Sequence, residues 1–229
     1  MKKQVIIVAG GKGLRMGTDI PKQFLLLNGK PVLMYTIEAF YDYDPNIDII
    51  VVLPENQHFF WKDLCETHKF DIKHRIVSGG ETRFHSVKNG LAFIEECSLV
   101  AVHDGVRALV SKDVIAKTFD VAERFKIACP AIPVTDSLRR TLGGENRGVD
   151  RGTYCLVQTP QVFIAKKLLS AYQQGYSEKF TDDVSVVEAY RGSLPVLVDG
   201  SPENIKITTP FDLVIAETII KLREMNYKS

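Results

Sequence analysis

Apolar, largely β-branched runs alternate with helix-like segments along this chain, and this alternation restricts the folds open to it. The runs with strand character lie at 5–9, 47–53 and 99–103. The segments with apolar residues at helical spacing lie at 32–40, 57–69 and 83–96. Strands that alternate with helices pair in parallel, and helices then cover both faces of the sheet. We therefore predict an α/β fold with a single doubly wound, mostly parallel sheet that binds ligands at the carboxyl ends of its strands.

The second half of the chain continues this pattern with shorter elements. Ser111 has the side chain of an N-cap, and Asp113 lies in the first turn of a helix predicted to reach about residue 126. Residues 127–134 form a strand-like run whose two prolines predict an irregular or edge position. The remaining predicted elements are short strands at 75–77, 196–198 and 205–207 and a final helix at 211–225.

Length and charge restrict the domain count and the partners. The chain has 229 residues, which is enough for one large α/β domain or two small ones. Because we find no interdomain linker, we predict one domain spanning 1–229. Its net charge of +1 provides no overall field for nucleic acid or an acidic membrane, so any anion site must be local. The first apolar run is too short for a signal peptide, and no window approaches the roughly 18 apolar residues of a membrane span. We expect a cytoplasmic protein that binds neither nucleic acid nor membrane.

Cysteine and histidine spacing excludes the common metal motifs. The four cysteines are scattered without a C-x-x-C pair, which predicts reduced, buried thiols in a cytosolic protein. The five histidines show neither an H-E-x-x-H motif nor a Cys/His spacing, so we infer no zinc site.

Residues 137–158 interrupt the alternation of strands and helices. The segment is basic and glycine-rich, and it lacks helical periodicity. A structureless loop of this length is uncommon inside a compact domain. We therefore predict a projecting hairpin or arm, suited to oligomerisation.

A glycine-rich loop follows the first strand and predicts a phosphate site. It fails the P-loop pattern, because neither Gly-Lys pair is followed by Ser or Thr, and it fails the dinucleotide pattern, because Met16 stands where a third glycine is needed. Such a turn often does no more than connect two elements. However, the backbone N–H groups of Gly10, Gly11 and Gly13 could wrap a phosphate chain. Arg15 and Lys22 follow and would stabilise charge on a triphosphate under attack.

The same residues resemble those of a known family. Ala9-Gly10-Gly11-x-Gly13-x-Arg15-Met16, followed by Pro21-Lys22-Gln23-Phe24, is similar to the nucleotide loop of the cytidylyltransferases acting on sugar-alcohol phosphates. Among these, the 2-C-methyl-D-erythritol 4-phosphate cytidylyltransferases of non-mevalonate isoprenoid synthesis resemble the chain most closely. The resemblance extends in ordered blocks from residue 5 to about residue 216. It implies a Rossmann-like nucleotidyltransferase fold and transfer of CMP from CTP to the phosphate of the polyol, with release of pyrophosphate.

The resemblance implies roles for residues around the nucleotide. Arg15 and Lys22 would stabilise the α-phosphate, with Lys206 in support. Mg²⁺ would accompany the triphosphate. Asp104 could bind this ion or a ribose hydroxyl, and its plain alternative is a cap for the next segment. Gly105, Val106 and Ala108 depart from the H-D-A-A-R-P pattern usual in the family, whereas its aspartate and arginine are retained as Asp104 and Arg107. The residues implied in CTP binding are Ala9, Gly10, Gly11, Gly13, Gly80, Glu81, Ser86, Asp104 and Gly105.

The later blocks imply the acceptor site and a homodimer. In the family the arm crosses to a second subunit, and its arginine, here Arg151, contacts the acceptor's phosphate; the plain alternative is a solvated arm charge. Thr181, in T-D-D-x-S-x-x-E, would contact the polyol, although this pattern is also that of a capped helix. Ser137 replaces the usual threonine and keeps its hydroxyl. The residues implied in acceptor binding are Ser137, Arg151, Thr159, Thr181 and Lys206.

Three other functions fit parts of the sequence. Ribitol-5-phosphate cytidylyltransferase shares the nucleotide loop and the T-P-Q-x-F block, and it often lacks the alanine pair after H-D, as this chain does. A hexose-1-phosphate nucleotidyltransferase would use another base. A non-catalytic nucleotide-binding regulator would bind CTP without releasing pyrophosphate, but the retained Arg15, Lys22, Asp104 and Lys206 argue against it.

Overall fold

The computed structural model describes residues 1–11 and 20–226, which fold around a mixed, eight-stranded sheet. The strands are β1 (Lys2–Val8), β2 (Leu26–Leu27), β3 (Lys30–Pro31), β4 (Asp48–Leu53), β5 (Arg75–Ser78), β6 (Ser98–Asp104), β7 (Ile127–Pro133), β8 (Leu138–Leu142), β9 (Glu145–Val149), β10 (Cys155–Val157), β11 (Gln161–Ile164) and β12 (Val196–Asp199). The helices are α1 (Val32–Tyr43), α2 (His58–Thr67), α3 (Arg83–Leu91), α4 (Lys112–Phe125), α5 (Ala165–Ala171), α6 (Asp183–Arg191) and α7 (Pro210–Asn226).

The sheet has a parallel centre and a mixed flank. Strand β1 lies between β4 and β6 and is parallel to both, and β5 extends the sheet beyond β4. On the other side, β11 runs antiparallel between β6 and β7, while β10 and β12 also pair with β7. The predicted α/β class with a mostly parallel sheet is confirmed, although the antiparallel insertion of β11 was not predicted.

The strand order reverses at the centre of this sheet. The chain runs outward from β1 to β4 and β5, and it then returns to the opposite side of β1 as β6. In open α/β sheets such a reversal opens a crevice at the carboxyl ends of the two strands, where ligands bind. Here the crevice opens between Ala9, just after β1, and Asp104, the last residue of β6.

Helices bury the two faces of the central strands. Successive β1 residues point to opposite faces, so Val5 and Ile7 join the core under α1 and α4, whereas Ile6 joins the core under α3, α5 and α6. Close packing needs a glycine in α3, because a Cβ at Gly90 would lie 2.9 Å from Ile6 Cγ2. Helix α3 ends at Leu91, five residues before the predicted end.

Two predicted strands differ from the structure. Strand β7 is not at an edge, because β11 and β12 flank it. Pro130 is tolerated in β7 because the N–H that proline lacks is not needed there. The N–H and the carbonyl of a strand residue point to the same side, and the Pro130 carbonyl accepts from Gln158 N, in the gap between β10 and β11. The prediction of a strand at 205–207 was wrong, because these residues form no strand; a backbone hydrogen bond from Ile207 N to Val106 O connects the segment to the turn after β6.

The segment predicted as an arm is a hairpin. Strands β8 and β9 pair only with each other among the described strands, and their side chains are mostly exposed. Gly143 and Gly144 form the two-residue turn with φ angles of 59° and 83°, which glycine adopts without steric cost. The use of this hairpin in dimerisation stays a prediction.

Candidate active site

The crevice between β1 and β6 is narrow because the two strand ends are bonded together. Gly105 N donates to Val8 O at 2.9 Å. A Cβ at position 105 would lie 2.8 Å from the Ala9 Cβ, so this turn could not approach β1 as closely with an alanine there. Gly105, which replaces the alanine usual in the family, therefore allows the turn after β6 to lie close to β1. This close approach brings Asp104 near the start of the glycine-rich loop.

Lys22 is held beside the described part of that loop. It begins a short 3-10 helix whose next two residues are buried: Gln23 donates to Gln57 Oε1 at 2.8 Å, and Phe24 stacks on Trp61 with 5.9 Å between ring centroids. A Cβ at Gly11 would lie 3.1 Å from Lys22 Cε, so the lysine side chain runs along the glycine backbone. Gly13 and Arg15 lie outside the described residues, so the predicted convergence of Arg15 with the other cations stays a prediction.

The turn between β5 and α3 forms the far side of the crevice. Gly80 N donates to Ser86 Oγ at 3.1 Å, and the Ser86 hydroxyl donates to Thr82 O at 3.0 Å. Thr82 also caps α3 by accepting from His85 N. A Cβ at Gly80 would lie 2.4 Å from the His85 Cβ, which only glycine avoids. The turn thus places the backbone of Gly80, together with Glu81, at the wall of a cavity described below.

Three cations surround the carboxylate of Asp104. Lys206 Nζ lies 2.9 Å from Asp104 Oδ2, Arg107 Nε lies 3.4 Å from the same oxygen, and Arg83 Nε lies 3.7 Å from Oδ1. Burial alone would raise the pKa of Asp104, but these cations hold it well below its usual range. The carboxylate is therefore ionised at neutral pH, and it gathers positive charge at the carboxyl end of β6.

Arg83 joins this cluster to a buried carboxylate on α6. Its Nη2 donates to Asp183 Oδ2 at 2.7 Å, and the fully buried Asp183 also accepts from the Tyr172 hydroxyl at 2.6 Å. Burial lowers the pKa of Arg83, but Asp183 and Asp104 outweigh it and raise that pKa. Because Asp183 follows the N-cap Asp182, the capped start of α6 is tied directly to the crevice.

Two cavities meet at the Asp104 cluster. One, of about 270 Å³, is lined by Ala9, Gly10, Gly11, Lys22, Gly80, Glu81 and Ser86. The other, of about 290 Å³, is lined by Arg107, Gln158, Thr159, Thr181 and Asp182. Arg83, Asp104 and Lys206 line both cavities and form their common wall. A larger, open groove lies at the amino ends of β1 and β4, at the edge opposite to this cluster.

The structure brings most of the predicted site residues to these two cavities. Of the predicted acceptor residues, Lys206 is in the common wall and Thr181 is exposed at the second cavity, whereas the Thr159 hydroxyl is bonded inside the protein. Ser137 and Arg151 lie elsewhere, at the base of the hairpin, where Arg151 donates to Thr135 O. Sequence reasoning assigned no role to Arg83, Arg107 or Asp183. All three residues stand inside blocks that resemble the family's, so a signal for them was present in the sequence.

Neither metal clusters nor membrane spans are found in the described part of the chain. Residues 1–11 and 20–226 contain no group of three or more His, Cys, Asp and Glu side chains that could hold a metal ion. Within the same residues, no helix is both long and apolar enough to cross a membrane.

Comparisons with known proteins agree with this geometry. The family model described as 2-C-methyl-D-erythritol 4-phosphate cytidylyltransferase matches residues 4–222. A protein of that name from Phocaeicola vulgatus is 57% identical over 220 residues, which cover 96% of this chain and 100% of the relative. The one from Bacteroides thetaiotaomicron is 54% identical, with 96% and 100% of the two chains covered. The crystal structure of the Thermus thermophilus enzyme of that name superposes with a TM-score of 0.79 at 32% identity, covering 96% of this chain and 100% of its own. The chain therefore belongs to the 2-C-methyl-D-erythritol 4-phosphate cytidylyltransferase family.

Proposed function

We propose that this chain transfers CMP from CTP to the phosphate of 2-C-methyl-D-erythritol 4-phosphate and releases pyrophosphate. Membership of the family supports the reaction, and one structural observation supports its location. Two cavities of similar size share a wall made of Arg83, Asp104 and Lys206. A nucleotide in one cavity and a phosphorylated acceptor in the other would meet at that wall, where positive charge is concentrated.

The cavity beside the glycine-rich loop suits the nucleotide. Its lining includes backbone at Gly10, Gly11 and Gly80, which can approach a phosphate chain or a base edge closely. The Ser86 hydroxyl fixes the turn at Gly80, so the donors and acceptors that would read cytosine are already ordered. Lys22 enters the same cavity from the loop side and would lie along the triphosphate.

The second cavity suits a polyol phosphate. Arg107 lines it from the β6 turn, and Thr181 offers a hydroxyl at the start of α6. Gln158 and Thr159 form the wall on the side of β7, between β10 and β11. A cationic group beside hydroxyl and amide groups fits a ligand with one phosphate and several hydroxyls.

The chemistry requires positioning and charge neutralisation. A phosphate oxygen of the acceptor attacks the α-phosphorus in line, a new P–O bond forms, and the bond to pyrophosphate breaks with the electron pair leaving on pyrophosphate. The attacking phosphate is already anionic at neutral pH, so no general base is needed. Lys22 and Lys206 would stabilise the charge that develops on the α-phosphoryl oxygens, and Arg15 would add a third cation.

We also propose Mg²⁺ as the cofactor. Asp104 is an ionised carboxylate at the nucleotide cavity, and oxygen ligands of this kind suit Mg²⁺. Since the described residues provide no cluster of three ligands, the triphosphate would supply most of the coordination. The metal would neutralise charge on the phosphates. Asp104 would hold the ion at the wall between the cavities.

A homodimer is the proposed working form, and the cytoplasm the proposed location. Ser137 and Arg151 lie at the base of the hairpin rather than at the cavity of their own chain, which suits a contribution to the acceptor site of a second copy. The four cysteines are free, as suits a reducing compartment. Only Cys129 is fully buried, so the expectation of buried thiols holds for one of them.

A pyrophosphate-release assay tests the reaction. The protein is incubated with each of CTP, UTP, ATP and GTP and with either 2-C-methyl-D-erythritol 4-phosphate or ribitol 5-phosphate. We expect release only with CTP and the erythritol phosphate. Faster release with ribitol phosphate would establish the sister activity, and CTP binding without release would establish a regulator. Lys22→Ala should lose turnover and keep its fold, with the exposed Lys62→Ala as control.

A further inference from the structure

His103 is a completely buried imidazole directly before Asp104, and the reaction proposed above gives it no role. Its Nδ1 lies 3.0 Å from Thr159 Oγ1, and its Nε2 lies 3.2 Å from the carbonyl oxygen of Arg107. Phe40 packs against the ring edge-to-face, with 5.0 Å between centroids. Both ring nitrogens are therefore engaged, and each contacts a residue that lines the acceptor cavity.

These contacts determine the tautomer of the ring. A carbonyl can only accept, so Nε2 must carry the hydrogen and donate to Arg107 O. The Thr159 hydroxyl oxygen accepts from Asp104 N at 3.1 Å, so its single hydrogen is left to donate to Nδ1, and the ring is protonated only at Nε2.

The hydrogen bonds close into a ring beneath the carboxylate cluster. Arg107 Nη1 donates to Asn204 O at 2.7 Å, and Asn204 Nδ2 donates to Thr159 O at 2.9 Å. His103 completes the circuit between Thr159 and Arg107. The circuit joins the end of β6, the segment before β11 and the segment that carries Lys206, which are three parts of the chain remote in sequence.

We infer that His103 is a positioning residue that holds Asp104 and Arg107 at the wall of the acceptor cavity. At one end of the turn, His103 donates to the Arg107 carbonyl. At the other end, it binds the Thr159 hydroxyl, which in turn accepts from the Asp104 amide. Asp104 and Val106 of this turn also line the nucleotide cavity, but Arg107 lines only the acceptor cavity of the two, and the glycine-rich loop, Lys22 and the Gly80 turn provide most of the remaining nucleotide wall. A loosened turn should therefore affect the acceptor more than CTP. The inference rests on the proposed reaction.

Steady-state kinetics of His103→Phe and Thr159→Val test this role. His103→Phe keeps an aromatic ring against Phe40 but removes both hydrogen bonds. We expect KM for the acceptor to rise and kcat/KM for the acceptor to fall about 10- to 100-fold, because small misplacements at a reacting centre have effects of this size, while KM for CTP stays within about twofold. Thr159→Val cuts the same circuit, so the double variant should be no worse than the poorer single variant.

A conservative variant separates positioning from folding. His103→Gln retains an amide N–H that can donate to the Arg107 carbonyl, and we expect it to recover part of the lost acceptor kcat/KM. His68→Phe, at a residue just after α2, is the matched control and should behave as wild type. A purely structural role would instead lower the active fraction, and kcat would fall with neither KM changed. That result would overturn the inference.

Histidine ¹⁵N spectra at pH 7.5 give a readout that does not depend on turnover. The resonances that disappear in His103→Phe are assigned to His103. In wild type they should show a neutral ring protonated at Nε2, and Thr159→Val should shift the Nδ1 resonance. A ring protonated at Nδ1 would overturn the inference even in an active enzyme. If wild type releases no pyrophosphate, the proposed reaction fails, and the spectra alone decide whether His103 holds this turn. Wild-type kinetics in His103→Phe would reject the inference and leave the reaction standing.

Discussion

Lys206 Nζ lies 2.9 Å from Asp104 Oδ2, so the lysine assigned to the phosphates is paired with the carboxylate assigned to the metal. The pair lies in the wall shared by both cavities. Arg83 and Arg107 also face Asp104, so the carboxylate remains compensated if Lys206 turns toward a phosphate. The wall can therefore offer a cation to the substrates without leaving a buried charge unpaired.

Replacing Lys206 tests this arrangement. Lys206→Ala removes a cation from the reacting phosphate, and we expect kcat to fall about 10²- to 10³-fold. Stability should change little, because two arginines still face Asp104. Lys117→Ala is a matched control, since it breaks an exposed ion pair with Asp199 and should leave kcat unchanged. A Lys206→Ala enzyme with near-normal kcat would remove this lysine from the mechanism.

The Gly80 turn should determine affinity for CTP. Gly80→Ala places a Cβ 2.4 Å from the His85 Cβ and 3.0 Å from the His85 carbonyl carbon, so the start of α3 must move together with Ser86. We expect KM for CTP to rise at least about tenfold and the free energy of unfolding to fall by about 1–3 kcal/mol. KM for the acceptor should stay within about twofold.

Gly175→Ala controls for the added methyl group. A Cβ at Gly175 meets no atom within 4 Å, so both kinetic constants and stability should match wild type. If Gly80→Ala binds CTP as wild type does, the turn is not part of the nucleotide site.

His74 should make the stability of the protein depend on pH. The ring accepts from Trp61 Nε1 at 2.9 Å and donates from Nδ1 to Ile72 O at 2.8 Å, so it is neutral in the fold. Burial lowers its pKa below that of the unfolded chain. Below pH of about 6.5 the unfolded state binds the proton first, so the free energy of unfolding should fall as pH falls, by at most about 1.4 kcal/mol per pH unit from this group.

Urea unfolding followed by circular dichroism between pH 7.5 and 5.5 measures this contribution. His74→Gln should flatten the dependence on pH, because the amide does not titrate in this range. Gly175→Ala, which removes no titratable group and adds a methyl group in open space, is the control and should keep the wild-type slope. Equal slopes in wild type and His74→Gln would show that His74 contributes nothing.

The long apolar strands were predictable because strands buried on both faces read as continuous apolar runs. The bounds of β4 and β6 lie within one residue of the predicted runs and those of β1 within three, and the carboxyl ends of β1 and β6 form the site. The antiparallel direction of β11 was not predictable, since its four residues carry no signal of strand direction. The segment at 205–207 has strand-like apolar alternation, but its burial against Val106 and α7 accounts for that pattern.

Motif recognition located the nucleotide residues but not the charges that organise them. Lys22, Ser86, Asp104 and Lys206 were each identified from a local block, and the structure places all four on the same cavity. The pairing of Arg83 with Asp183 was not foreseen, because the two residues are 100 positions apart and a single sequence carries no record of such contacts.

The hairpin of β8 and β9 leads to a prediction about assembly. If the arm of one subunit completes the acceptor site of another, Lys206→Ala and Arg151→Ala damage different halves of each composite site. Each variant alone should have little activity. In a mixed dimer, one site pairs the intact Lys206 of one chain with the intact Arg151 of the other. Random re-association should then restore about a quarter of wild-type activity, because about half of the dimers are mixed and each has one native site.

Co-refolding the two variants in equal amounts and measuring pyrophosphate release tests this arrangement. Lys206→Ala mixed with Lys22→Ala is the control, since both changes affect the cavity of the same chain and no mixed dimer then has a native site. Recovery in the first mixture and none in the second would establish that the arm acts across subunits. If neither mixture recovers while wild type refolds to full activity, Arg151 serves its own chain or none, and its position at the base of the hairpin then reflects the solvated arm charge that the sequence left open.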